Sequence, residues 1–135
     1  MILVSACLAG VECRYNGSSY PIPEVVEMVK KGDAMPICPE LLAGLPIPRP
    51  PAEQQNGMII SSNGEDQTSD YLIGATIALK IALLINCNKA ILKSNSPTCG
   101  CGVIYDGTFS GHLINGDGIF AKLLKENGIK VCTID

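Results

Sequence analysis

The residues with the most chemistry in this chain are its seven cysteines, Cys7, Cys13, Cys38, Cys87, Cys99, Cys101 and Cys132. An odd number argues against a pure disulfide framework. Ile2, Leu3 and Val4 follow Met1 directly, with no basic segment of a secretory signal. The expected setting is therefore the cytoplasm, where clustered thiols bind metal or react rather than pair. Cys87 and Cys132 read as small core hydrophobes. Around the others stand groups able to move protons. Cys38-Pro39-Glu40 puts a carboxylate two residues from a thiol. Ser94-Asn95-Ser96-Pro97-Thr98-Cys99 puts hydroxyls and an amide beside another. A carboxylate in a cleft is a general acid or base candidate; the plainer reading of Glu40 is a loop cap or salt bridge. Arg14 and Arg49 can hold an anion, though each alone reads as a surface charge.

Composition narrows the classes. A single histidine, His112, argues against His-rich metal sites and His-based triads. Ten Lys and Arg against 13 Asp and Glu leave a net charge of −3, which lacks the basic excess of a nucleic-acid binder. Aromatics at 4% and no Trp offer no stacking platform for long single strands. The glycines form neither a dinucleotide fingerprint nor a P-loop. A chain of 135 residues that is 47% hydrophobic can bury one core, so residues 1–135 read as one domain and not as a disordered tail.

Short apolar runs alternate with helical patterns. Residues 1–6, 34–38, 90–94 and 129–134 read as strands, the second confined to an edge by Pro36. Residues 58–61 and 103–108 read as smaller strands. Residues 23–31 form a helix with Pro23 at its first turn and Gly32 beyond its end. Residues 68–86 form the clearest helix, capped by Asp66 or Thr68 and apolar nearly all round, too short and interrupted for a membrane span. Residues 117–127 form the last helix, capped by Asp117 and closed by Gly128. The proline-rich stretch 39–57 reads as an irregular functional loop. The alternation predicts an α/β three-layer sandwich with a mostly parallel sheet, Rossmann-like or flavodoxin-like.

Cys7 follows the first strand, Cys38 ends the second, and Cys99 lies five residues past Ser94. In an open parallel sheet the carboxyl ends of the strands share one edge, where ligand sites form. Three thiols 31 and 61 residues apart are thus expected to meet in space. Zinc knuckles usually need a C-x2–4-C spacing, absent here. Iron–sulfur clusters are also held by thiolates. Three ligands would leave one iron of a 4Fe–4S cluster open as a Lewis acid; Cys13 or Cys101 is a possible fourth ligand. Ser5, Asp66 and Lys93 are expected to face the same cleft and to contact a substrate.

Five blocks carry a resemblance. Val4-Ser5-Ala6-Cys7-Leu8-Ala9-Gly10 with Cys13-Arg14-Tyr15-Asn16-Gly17 opens the chain. Cys38-Pro39-Glu40 with Gly44-Leu45-Pro46-Ile47-Pro48-Arg49-Pro50 is the second, and Gly64-Glu65-Asp66-Gln67-Thr68 the third. Leu92 to Gly100 and Ile104 to Gly111 complete the set. Together they resemble the domain-of-unknown-function 523 family, which includes a thiouracil desulfidase. The chain has Leu8-Ala9-Gly10 where the family usually has Leu-Leu-Gly. The resemblance implies a 4Fe–4S cluster on Cys7, Cys38 and Cys99, subject to loss in air. It also implies Glu40 and Ser96 as catalytic residues and non-redox removal of sulfur from a small thiolated base, releasing hydrogen sulfide. No large nucleic acid and no membrane are expected as partners. Two other readings stand beside it: a non-catalytic zinc or fully ligated cluster module, and a sulfur-transfer protein using Cys13 or Cys101 as its reactive thiol.

Overall fold

The computed structural model describes residues 1–135. Its centre is a four-stranded parallel sheet. The strands are β1 (Ile2–Ser5), β2 (Ala34–Ile37), β5 (Lys89–Lys93) and β8 (Lys130–Ile134), in the order β2-β1-β5-β8. Two hairpins lie outside it: β3 (Ala52–Gln55) with β4 (Met58–Ser61), and β6 (Val103–Tyr105) with β7 (Leu113–Asn115). The helices are α1 (Pro23–Lys30), α2 (Pro39–Leu42), α3 (Thr68–Leu84) and α4 (Ile119–Glu126), and a 3-10 turn spans Ala6–Ala9.

Side chains alternate across a strand, so a sheet covered on both faces needs apolar residues at successive positions. In β1, Leu3 packs with Ala75, Ala78, Phe120 and Leu124 from α3 and α4. Its neighbour Val4 packs with Val25 of α1 and with Leu8 and Cys13 on the other face. In β5, Ala90 and Leu92 join the first cluster and Ile91 the second. The result is the expected three-layer α/β sandwich, with the flavodoxin-like order of second, first, third and fourth sheet strands. Pro36 sits on the edge strand β2, opposite Val4, where a missing N–H costs least.

Four expectations change. The stretch 39–57 is not irregular throughout. Pro39 starts the short helix α2, and Asn56 and Gly57, with φ of 52° and 81°, form the tight turn joining β3 to β4. Helix α3 is not buried all round: Gly74, Ala75, Ala78 and Ala82 face inward, while Leu72, Ile73, Ile77, Leu83 and Leu84 are exposed. Small residues let α3 come close to its neighbours. A Cβ on Gly74 would lie 2.0 Å from the Pro39 carbonyl oxygen, so only glycine permits this approach of α3 to α2. Asp117 does not cap α4, whose N-cap is Gly118; its carboxylate accepts from the Gly102 N–H and the Lys125 ammonium instead. Cys132 is exposed, because β8 is the other edge of the sheet and Cys132 lies on its open side; Cys87 is buried as expected.

No helix is long and apolar enough to cross a membrane.

Candidate active site

The chain leaves β1 toward β2 on one side and later runs from β5 to β8 on the other, so a crevice opens at the carboxyl ends of β1 and β5. A cavity of about 510 Å³ occupies it. Cys7, Cys38 and Cys99 all line this cavity, as does Cys13, and Cys101 does not. Cys101 sits instead beside Val131, on the α4 side of the sheet. Of the two possible fourth ligands, only Cys13 is therefore within reach.

Each thiol arrives by a different device. Cys7 lies in the 3-10 turn that continues β1, and Gly10 closes that turn with φ of 97°. Cys38 is the N-cap of α2. Cys99 is fixed by the hydroxyl of Ser96, which accepts from the N–H groups of Cys99 at 2.6 Å and Thr98 at 3.2 Å. Pro97 disfavours the helical region for Ser96, and the chain then turns through residues 97–99, with the Gly100 N–H donating to the Ser96 carbonyl at 3.0 Å. The Ser96 oxygen is committed to these donors, and its own proton remains to give.

The thiols differ electrostatically. The Cys13 thiol stays protonated, because its proton is shared with the Cys38 and Cys7 sulfurs and burial opposes its charge. That same proton lowers Cys7, against burial and the neighbouring Cys38. Cys38 is brought down to about 7, chiefly by Cys13, with burial opposing and the Leu41 N–H and Arg49 helping. Burial pushes Cys99 well up, and the Ser5 hydroxyl favours its thiolate. Arg14 and Lys93 add positive charge near Cys7, and both cations stand over the Tyr20 ring, at 5.9 and 4.7 Å.

These residues fit a cluster better than a lone ion. No three His, Cys, Asp or Glu side chains stand close enough to hold a single metal ion. A cluster asks for wider spacing, since each thiolate binds a different iron. Cys7, Cys38 and Cys99 come from three separate segments to line one cavity, a donor set of thiols alone that suits such a cluster.

Glu40 lines the same cavity and is strongly braced. Its Oε1 accepts from Arg49 Nε at 3.0 Å and Nη2 at 2.8 Å, and from the Tyr71 hydroxyl at 3.4 Å. Its Oε2 accepts from the Thr98 hydroxyl at 3.0 Å. Arg49 is no surface charge: it is 8% exposed and also donates to the Cys13 and Pro46 carbonyls. Burial alone would lower the guanidinium pKa, but Glu40 outweighs it and holds the charge. Burial, reinforced by Glu40, raises Tyr71, so its phenol stays a donor. Oε2 has a single donor and is the oxygen left to meet a substrate or water.

The three residues expected to contact substrate separate. Ser5 and Lys93 line the cavity, yet Ser5 is 3% exposed and its oxygen accepts from the Lys93 N–H. It braces β1 against β5 and supports Cys99. Lys93 keeps its ammonium near Ser94. Asp66 lies outside the cavity and does not cap α3, whose N-cap is Gln67: its Oδ1 accepts locally from the Thr68 N–H and hydroxyl, which also hold its pKa down.

Several site residues escape the sequence reading. Arg49, Tyr71 and Thr98 bind Glu40 across 9, 31 and 58 residues of chain, separations that no local motif reports. Glu53 and Gln54 were within reach: Asn56-Gly57 is a strong hairpin signal and implies a strand just before it. In that strand Gln54 donates to the Pro97 and Asp117 carbonyls, and Glu53 accepts from the Gly107 and Phe109 N–H groups.

The chain is 47% identical to the uncharacterized protein YbbK of Bacillus subtilis (strain 168), covering 97% of this chain and 93% of that protein. Its fold superposes with a TM-score of 0.93 on the solved structure of TudS, described as a [4Fe-4S]-dependent thiouracil desulfidase, at 41% identity over 98% of this chain and 89% of that one. The match to a known family runs over residues 2–135, and the chain belongs to the 2-thiouracil desulfurase family.

Proposed function

We propose that this chain is a non-redox desulfidase that replaces the sulfur of a thiolated pyrimidine, such as 2-thiouracil, with oxygen from water. Cys7, Cys38 and Cys99 would hold a 4Fe–4S cluster, and the observation that carries the reading is their convergence on one cavity beside a braced carboxylate. When bound on three thiolates, such a cluster supplies an iron free to act as a Lewis acid toward a thiocarbonyl sulfur. Cys13 lines the same cavity and is left outside the ligand set.

The protein's own part is positioning and proton transfer. Arg49 and Tyr71 hold Oε1, which aims Oε2 of Glu40 into the cavity. Oε2 takes a proton from water as its oxygen bonds to the ring carbon. The carbon–sulfur bond then breaks, and sulfur leaves with its electron pair. Ser96, its oxygen fixed by two backbone donors, gives its hydroxyl proton toward the departing sulfur and is reprotonated, through solvent, by the proton that Glu40 took; the second water proton leaves the new carbonyl oxygen and completes hydrogen sulfide. The balance is thione plus water to carbonyl plus hydrogen sulfide, with no electron gained or lost. Lys93 and Arg14 make the cavity mouth positive, which suits a departing hydrosulfide.

The test is sulfide release from 2-thiouracil by anaerobically reconstituted protein. The reading requires uracil and sulfide in equal amounts without added reductant. Uracil formation that depends on a reductant, or no sulfide from iron-loaded protein, contradicts it.

A further inference from the structure

We infer that Phe109 is the aromatic surface on which the substrate ring stacks, so that it selects planar thiolated heterocycles; this rests on the desulfidase reading and deepens it. The chain has two phenylalanines. Phe120 is fully buried in the core, whereas Phe109 is 37% exposed and lines the catalytic cavity. Its backbone is in the left-handed region, φ 57°, which residues with a Cβ seldom adopt. Such a conformation persists only where its surroundings enforce it, and it concentrates at functional sites.

Here the enforcement is visible. Glu53 is 9% exposed, and its Oε1 accepts from the N–H of Phe109 at 3.1 Å and of Gly107 at 3.0 Å. Gln55 donates to the Gly107 carbonyl at 2.8 Å. A Cβ on Gly107 would lie 2.6 Å from the Gln54 carbonyl oxygen, so the loop lies flat against β3. On the solvent side, the Asp106 carboxylate accepts from the Thr108 N–H and hydroxyl. A buried carboxylate is costly to place unless it is hydrogen-bonded, and the Oε1 of Glu53 is satisfied by this loop. The loop in turn brings the apolar Phe109 to the cavity that the thiols also line. A pyrimidine offers two broad π faces to such a ring, and an acyclic thioamide only the small face of its planar N–C–S group.

The experiment compares the iron-loaded protein with its Phe109→Ala and Phe109→Tyr variants, by calorimetric binding of uracil and by KM and kcat for 2-thiouracil. Loss of the ring raises the uracil Kd and the 2-thiouracil KM roughly tenfold or more, with a smaller effect on kcat, while Tyr keeps both near the parent values. Iron content and the visible spectrum stay those of the parent. A Phe109→Ala Kd equal to the parent's overturns the inference, as does a Tyr variant damaged as much as Ala, or a parent that binds no uracil. A parent that binds uracil but releases no sulfide overturns the desulfidase reading alone, and the Kd comparison still judges Phe109.

Discussion

Cys7, Cys13, Cys38 and Cys99 share one cavity at the carboxyl edge of the sheet, whereas Cys87, Cys101 and Cys132 are scattered along the opposite edge and flank. Residue type is the same in the two groups; what differs is the surroundings. The cavity thiols stand among Arg14, Arg49, Lys93, Glu40 and the Ser5 and Ser96 hydroxyls, and they shift one another's proton affinity. Cys87 has only the Lys89 carbonyl at 3.1 Å, and Cys132 the Ala90 carbonyl at 3.7 Å. Strand topology turns thiols into a site at one edge and leaves them as filler elsewhere.

The sharpest way to break this contrast is to remove one thiol from each group. Cys38→Ala is expected to abolish iron binding and sulfide release, whereas Cys87→Ala and Cys132→Ser keep both; iron analysis after anaerobic reconstitution decides it. Next in size is Glu40→Gln, which leaves the iron in place and lowers kcat by about 10²–10⁴-fold, the range of a lost general base. Turnover at the parent rate would remove Glu40 from the chemistry. Arg49→Met tests whether the cavity end depends on its buried ion pair. It strands Glu40 without its partner and is expected to cost about 3–5 kcal/mol in denaturant unfolding, with activity falling too. A loss below about 1 kcal/mol would mean that the pair behaves like a surface bridge.

The smallest effect belongs to the other group's neighbourhood. Burial raises the Asp117 carboxyl, but the Gly102 N–H and Lys125 outweigh it and hold it below the usual range. A lowered carboxylate adds stability above its unfolded pKa, and that share is lost as pH falls through the folded value, below about 4. Lys125 is half-exposed, so Asp117→Asn should cost about 1 kcal/mol or less at neutral pH and flatten this part of the acid loss. An unchanged acid limb in pH-dependent unfolding would contradict the assignment.

Much of the fold was legible because the sheet strands are continuous apolar runs and the helices carry their stop signals: Gly32 and Gly128 both take positive φ where α1 and α4 end. The convergence of Cys7, Cys38 and Cys99 follows from parallel topology, whereas Ser96 is singled out by the family resemblance. What stayed hidden is non-local. Arg49 reads as a surface charge until its guanidinium is found between Glu40 and the Cys13 carbonyl. Asp66 is expected to face the cleft, but its carboxylate is spent locally on the Thr68 N–H and hydroxyl. Helix α3 reads as buried all round because its composition is largely apolar, and only packing shows that the alanines face in while Leu72, Ile73 and Leu84 face out.

The account rests on three cysteines holding the cluster, with Cys13 and Cys101 outside it. Iron and acid-labile sulfide should therefore be measured on anaerobically reconstituted parent and on the Cys13→Ala, Cys101→Ala double variant. The account predicts about four irons and four sulfides per chain in both. Zinc or no metal in the parent, or loss of the iron in the double variant, would contradict it.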